Sequence, residues 1–270
     1  MIVQIYEIQT PAEAEAMIKI GVDHVGSVLP DGKRWKNPDI LETVRTVRRS
    51  GAKSSLIPLF GNADRISSVL DYYRPDIVHF CDAVIEDPAG WEAACGRMIS
   101  VQATIRERFP EIAIMRSVPV PLPGLALPVP MTVFARYFEP LTDYFLTDTY
   151  LLPDTGPGGA DQPVSGFIGI TGKTCDWEMA AQLVEESRIP VILAGGLSAD
   201  NVFDAAVAVR PAGVDSCTNT NAVDESARPI RFKKDVQKVA RFVAEAGRGA
   251  AMAAGGLSNG KNHSGTSRNK

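Results

Sequence analysis

Eight short apolar runs, each followed by a longer amphipathic stretch, constrain this chain more than any other feature. They are residues 3–6 (VQIY), 23–29 (DHVGSVL), 54–60 (SSLIPLF), 76–80 (DIVHF), 111–118 (EIAIMRSV), 143–149 (DYFLTDT), 190–196 (PVILAGG) and 213–218 (GVDSCT). Most are rich in Val and Ile and bounded by Gly, Pro or Asp, as buried strands are. The stretches between them place apolar residues at helical spacing, Ala14, Met17 and Ile18 in the first and Ile40, Val44 and Val47 in the second. Strands that alternate with helices form a parallel sheet covered by those helices. Eight such units predict an α/β protein, a single (β/α)8 TIM barrel, with an open doubly wound sheet as the rival.

The barrel is expected to occupy residues 1–246. Residues 247–270 are small, polar and Gly-rich, and are expected to form a disordered tail. A net charge of −4 gives no reason to expect nucleic acid or an anionic membrane as partner. No apolar run approaches the length of a membrane span and no signal segment stands at the N-terminus, which points to the cytoplasm. Cys81, Cys95, Cys175 and Cys217 form no metal-binding pair, and with three histidines no metal site is expected. A monomer or a homodimer fits equally well.

In a barrel of this kind functional groups sit at the C-terminal ends of the strands and in the loops that follow. Tyr6 and Glu7 end the first strand and raise the question of whether a phenol and a carboxylate there do chemistry. Arg34 and Trp35, in KRW after the second strand, offer an anion anchor and a stacking surface. Strand alternation sends His79 and Cys81 to one face, with a buried histidine and an inert thiol as the alternative. Arg116 in the fifth strand is a second candidate anion clamp.

Asp148 closes YFLTD, where apolar walls would raise its pKa and let it deliver a proton; a capping role is the alternative. In GITGKTCDW (169–177), Gly172 and Lys173 resemble part of a phosphate loop. The triphosphate-binding pattern nevertheless fails, because Phe167 stands where its first glycine belongs. Gly195 and Gly196, ahead of a helix capped near Ser198, suit close approach of backbone N–H groups to a phosphate.

Taken in order, these stretches resemble the phosphoribosylanthranilate isomerase family of tryptophan biosynthesis. The resemblance runs from Val3 to about Val243. DHVGSVL is similar to its GADAVGFVF strand, KRW to its KRY, GITGKTCDW to GGTGKTFDW, AGGLSADNV to AGGLNPENV, and RPAGVDSCTNTN to xPxGVDVSSGVE. The family's reaction is an Amadori rearrangement of an aminoaldose phosphate to an aminoketose phosphate, which needs one acid, one base and no cofactor. The resemblance implies Asp148 as the acid and aligns Arg116 with a strand-five lysine of the site. It also implies a cysteine base within KICGI, and there this chain departs. Tyr6 stands in the cysteine position and Glu7 in the glycine position.

The resemblance therefore implies an isomerase acting on a small phosphorylated sugar derivative with a remodelled base, Glu7, His79 or Tyr6. Arg34, Cys81, Arg116, Gly172 and Lys173 would contact substrate, and Gly195, Gly196, Thr218 and Asn219 would hold phosphate. Two alternatives stand beside it: the family enzyme itself using a non-cysteine base, and an inactive barrel that binds a phosphorylated metabolite or a protein partner. The loop LLPDTGPGGADQPVSG (151–166) is a candidate lid.

Overall fold

The computed structural model describes residues 1–30, 32–82, 90–125, 131–151 and 166–259, with 256–259 as backbone only. The candidate lid lies almost wholly outside the described residues. Eight parallel strands close into one ring in chain order. They are β1 (Ile2–Ile5), β2 (His24–Leu29), β3 (Lys53–Pro58), β4 (Ile77–Phe80), β5 (Ala113–Val120), β6 (Tyr144–Thr149), β7 (Val191–Leu193) and β8 (Gly213–Ser216). The ring shuts where Gln4 of β1 pairs with Asp215 of β8.

Around it lie α1 (Pro11–Ile20), α2 (Pro38–Ser50), α3 (Ala63–Tyr73), α4 (Trp91–Arg108), α5 (Met131–Phe138), α6 (Trp177–Glu186), α7 (Val202–Val209) and α8 (Val236–Asn259). Local chemistry sets their ends. Thr10 caps α1 and Pro11 opens it, and Gly21 ends it in the left-handed region. Asn37, Pro38 and Gly51 do the same for α2, and Asp176 accepts from the backbone of Glu178 and Met179 to start α6. Each strand thus hands over at a defined point, which fixes the residues that ring the mouth.

Two features differ from expectation. An antiparallel hairpin, β9 (Asn221–Val223) and β10 (Pro229–Lys234), stands between β8 and α8, where the strand–helix alternation predicts only a connection and a helix. Residues 247–259, expected in a tail, continue α8 instead. Gly249 explains why. A Cβ there would lie 2.8 Å from both Ala206 Cβ and Phe203 O, so the glycine lets α8 press onto α7. At Gly249 the small residue that reads as disorder serves close packing instead. Residues 260–270 lie outside the described residues.

Candidate active site

The C-terminal mouth of the barrel opens into a pocket. Its wall includes Tyr6 and Glu7 after β1, His79 and Cys81 at β4, Asp148 on β6, Gly195 and Gly196 after β7, and Asp215 and Cys217–Asn219 at and beyond β8. Ile168, Ile170 and Gly172, from the segment following β6, complete it. That segment is seated beside β4 by a hydrogen bond from Ile168 N to Cys81 O of 2.9 Å. Tyr6 and Asp148 do share one cavity.

Asp148 stands within this wall, half-buried, with its Oδ1 accepting from Thr149 N at 2.9 Å. Gly169 lies directly against it, for a Cβ at that position would come within 2.0 Å of Asp148 Oδ2. Only a glycine lets the loop cover the carboxyl so closely. Burial pushes Asp148 up to about 7, against a smaller downward pull from the Thr149 hydrogen bond.

Asp215, which the sequence did not single out for a role, is the second carboxyl of the pocket. It is buried, and its Oδ1 has no hydrogen-bond partner among the described residues. Burial pushes it up to about 8, and repulsion from Asp148 adds to this while Gln4 and Lys234 oppose it. The signal was present in the sequence as an acid at the end of a barrel strand.

Tyr6 fills the position aligned with the cysteine. Its ring covers Gly26, where a Cβ would lie 2.1 Å from Tyr6 Cδ1. Its hydroxyl is engaged by Ser55 Oγ at 2.6 Å and His79 Nδ1 at 2.8 Å, and His79 Nε2 pairs with Ser117 Oγ at 2.8 Å. Burial drives the phenol well above its usual range, and the Ser55 hydrogen bond does not offset this. Burial, with Arg116 adding to it, lowers His79 to about 3. Ser55, Tyr6, His79 and Ser117 therefore form a neutral chain across the lumen. Neither Tyr6 nor His79 is suited to be the expected base.

Glu7 is no better placed for that role. Its backbone is left-handed, φ 66°, the conformation a glycine would take freely. Its buried carboxylate turns to the hairpin: Oε1 accepts from Arg231 Nε at 2.7 Å and Nη2 at 2.6 Å, and Oε2 from Asn221 Nδ2 at 3.1 Å. Burial alone would raise its pKa, but attraction to Arg231 and Lys234 and these hydrogen bonds outweigh it and hold Glu7 below the usual range. An acceptor so fully engaged is a poor proton acceptor.

Arg116 does not reach the pocket. Ser117 faces the lumen, so strand alternation turns Arg116 outward. There it pairs with Asp82 Oδ2 at 3.0 Å, donates to Met98 Sδ at 2.9 Å and lies 4.5 Å over the Phe138 ring. Arg34 and Lys173 are exposed and stand off the pocket wall, and the Lys173 contribution is its carbonyl, which accepts from Thr149 Oγ1 at 2.6 Å. Trp35 packs edge-on against Tyr72 at 5.6 Å. Cys81 does line the wall, its thiol pushed well up by burial and by Asp82 and Asp148.

The glycine expectations place differently. Gly172, Gly195 and Gly196 all adopt positive φ and converge with Thr218 and Asn219 at one end of the pocket. A Cβ on Gly196 would meet Lys173 C and Thr174 N at 2.4 Å, so two loops touch there. Asn219 Nδ2 ties the cradle together, donating to Gly196 O at 2.9 Å and Gly172 O at 3.4 Å. Three strand-end loops thus form a concave, backbone-lined niche beside the two carboxyls, and α7 begins just beyond it.

Fold and site define a (β/α)8 barrel with two near-neutral carboxyls beside a backbone cradle at its mouth. The family model described as N-(5'phosphoribosyl)anthranilate (PRA) isomerase matches residues 137–245. The N-(5'-phosphoribosyl)anthranilate isomerase of Agrobacterium fabrum is 25% identical over 241 residues, covering 89% of this chain and 92% of its own. That of Halorubrum lacusprofundi is 39% identical over 114 residues, and this match spans 42% of the chain and only 44% of the relative. Among solved structures, the Thermotoga maritima phosphoribosyl anthranilate isomerase superposes with a TM-score of 0.61 at 21% identity, covering 92% of this chain and 99% of that one. The Pyrococcus furiosus enzyme gives 0.59 at 20% identity, covering 92% and 98%. These two likenesses bear on the fold. Together, the family-model match over residues 137–245 and these relatives support a phosphoribosylanthranilate isomerase-family protein.

Proposed function

We propose that the chain is a phosphoribosylanthranilate isomerase-like enzyme of tryptophan biosynthesis in which Asp148 and Asp215 form the acid–base pair. The observation that carries this reading is the pair itself: two carboxyls of one pocket, pushed up to about 7 and about 8, next to a backbone-lined niche. Asp148 gives its proton to the ribose ring oxygen as the C1–O bond breaks, and the substrate nitrogen stabilises the cation left at C1. Asp215, as carboxylate, takes the proton from C2. The enolamine tautomerises to the aminoketose, and the proton now on Asp215 is exchanged back to Asp148 through solvent, which resets the pair.

Both carboxyls are raised to the neutral range, so at neutral pH the pair can hold a single proton, with one member as acid and the other as base. The phosphate sits among Gly172, Gly195, Gly196, Thr218 and Asn219.

The test is conversion of N-(5'-phosphoribosyl)anthranilate in deuterated water, with the C2 proton followed by NMR. Turnover abolished by Asp148→Asn and by Asp215→Asn is the expected result. Wild-type turnover in Asp215→Asn would remove it as the base. Saturable binding with no turnover in the native chain would favour a barrel that binds without converting, a reading that the inert Tyr6 in the cysteine position supports. Complementation of a tryptophan auxotroph lacking the isomerase gives an independent readout.

A further inference from the structure

We propose that Glu7 is a positioning residue for the phosphate cradle, acting through the β9–β10 hairpin. The inference rests on the cradle assignment above and deepens it.

The connection is a continuous run of buried hydrogen bonds. Glu7 Oε2 accepts from Asn221 Nδ2 at 3.1 Å, and Asn221 Oδ1 accepts from Lys234 Nζ at 2.5 Å. Lys234 Nζ also donates to Cys217 O at 2.8 Å. Cys217 is the residue from which the short 3-10 turn Thr218–Thr220 departs, and that turn carries the cradle residues Thr218 and Asn219. Glu7 and Asn221 are about 1% exposed and Lys234 8%, so water does not compete for these contacts. On the other side of Glu7, Arg231 reaches in from β10 with both Nε and Nη2, and Lys238 Nζ of α8 holds Asn221 O at 2.9 Å.

The sequence around these contacts carries a second observation. In the aligned motifs quoted above, the family writes Gly where this chain has Glu7 and Glu where it has Asn221. Here the two positions touch. Between the quoted motifs and this chain, the acid stands on opposite sides of that contact. It remains in place despite a left-handed backbone that a glycine would occupy without strain, a cost of roughly 1–3 kcal/mol for other residues. A strained residue persists where surrounding contacts over-determine it, and both carboxylate oxygens of Glu7 are so held. The charge is thus needed at this junction, whichever element supplies it, and the junction ends on the phosphate turn.

The probe is inorganic phosphate, its affinity read by calorimetry on the full chain, alongside KM and kcat for N-(5'-phosphoribosyl)anthranilate. Glu7→Gln is expected to weaken phosphate and raise KM by about tenfold or more, the scale of losing a hydrogen bond to a charged group. Its kcat at saturation is expected to stay within about threefold, since a positioning residue leaves the proton transfers themselves intact. The double change Glu7→Gly with Asn221→Glu returns the carboxylate to the hairpin and is expected to restore phosphate affinity; a merely structural contact at Glu7 does not predict that rescue. If Glu7→Gln does not fold, Lys234→Met cuts the same chain at its last link and carries the same expectation.

Unchanged phosphate affinity in folded Glu7→Gln or Lys234→Met overturns the inference. So does a loss of kcat at unchanged KM, which would make Glu7 a group acting on the reacting atoms. The cradle assignment fails separately: the native chain would then bind no phosphate, or Gly196→Ala would leave the affinity untouched.

Discussion

Asp215→Asn is expected to stabilise the fold at neutral pH while abolishing turnover. In the native chain burial keeps Asp215 protonated up to about 8, whereas an exposed aspartate gives up its proton near 3.8. Between those values the unfolded chain binds fewer protons than the folded one, so stability falls as pH rises. The penalty is absent below about pH 4 and at pH 7 reaches roughly 4 kcal/mol, at about 1.4 kcal/mol per pH unit. Repulsion from Asp148 contributes to the raised value, and replacing Asp215 also relieves Asp148, so the two effects overlap. A gain of about 2 kcal/mol is the working expectation after that overlap. Asparagine keeps the shape and can still pair with Gln4, so the neutral form is imitated closely. The assay is urea unfolding of both proteins at pH 4, 5.5 and 7.5. His24 and His79, lowered by burial to about 4 and about 3, destabilise the fold as pH falls below their usual range, but equally in both proteins. The difference between the two proteins should grow from near zero at pH 4 to about 2 kcal/mol at pH 7.5. A pH-independent difference, or destabilisation at pH 7.5, would mean that Asp215 is a partnered carboxylate, and the acid–base assignment would fall with it.

Other outcomes follow from the same geometry. The profile of kcat/KM against pH should be a narrow bell with limbs near 7 and 8, both protons held below it and both lost above it, and Asp148→Asn should lower kcat by about 10²–10⁴-fold. A sigmoid with one limb would exclude a working pair. Tyr6→Phe should cost about 1–3 kcal/mol in urea unfolding, because Ser55 and His79 lose a buried partner, with kcat within a few-fold of native. Arg116→Met should destabilise by about 3–5 kcal/mol through the abandoned Asp82 while KM stays unchanged; a raised KM would return Arg116 to the substrate.

The barrel was legible because alternation of strand and helix leaves a period in the sequence, and Asp148, Gly195 and Gly196 were legible because they end strands. What failed was direction. Arg116 and Ser117 are neighbours on β5, and one residue of register decides which meets the lumen. Glu7 follows the end of β1, where the left-handed backbone breaks the alternation that would have aimed it. The hairpin was hidden because Lys233 and Lys234 read as the polar start of the last helix. Lys234 is in fact buried against Asn221 and the Cys217 carbonyl. Asp215 sat in plain view in GVDSCT, but nothing local distinguishes a strand-end acid that titrates near neutrality from one that caps a turn.

The inert Tyr6 phenol and the raised second carboxyl belong to one electrostatic condition. Glu7, Asp148 and Asp215 line the pocket, and among the described lining residues no Lys or Arg accompanies them. Such an environment penalises each further negative charge in proportion to its burial. Thiols suffer most visibly: burial drives Cys81 and Cys217 well above their ordinary range, with Asp82 and Asp148 adding to it at Cys81 and Glu7 and Asp215 adding at Cys217 against the pull of Lys234. The Tyr6 phenol meets the same burial and Asp215 as well, and stays protonated at neutral pH. A carboxyl starts about five pKa units lower than a thiol, so the same upward push that silences the thiol brings it to the working range. On the reading proposed above, the burial that keeps the Tyr6 phenol protonated is also what brings an aspartate into range as a base, and Tyr6 fills the lumen at the position aligned with the cysteine.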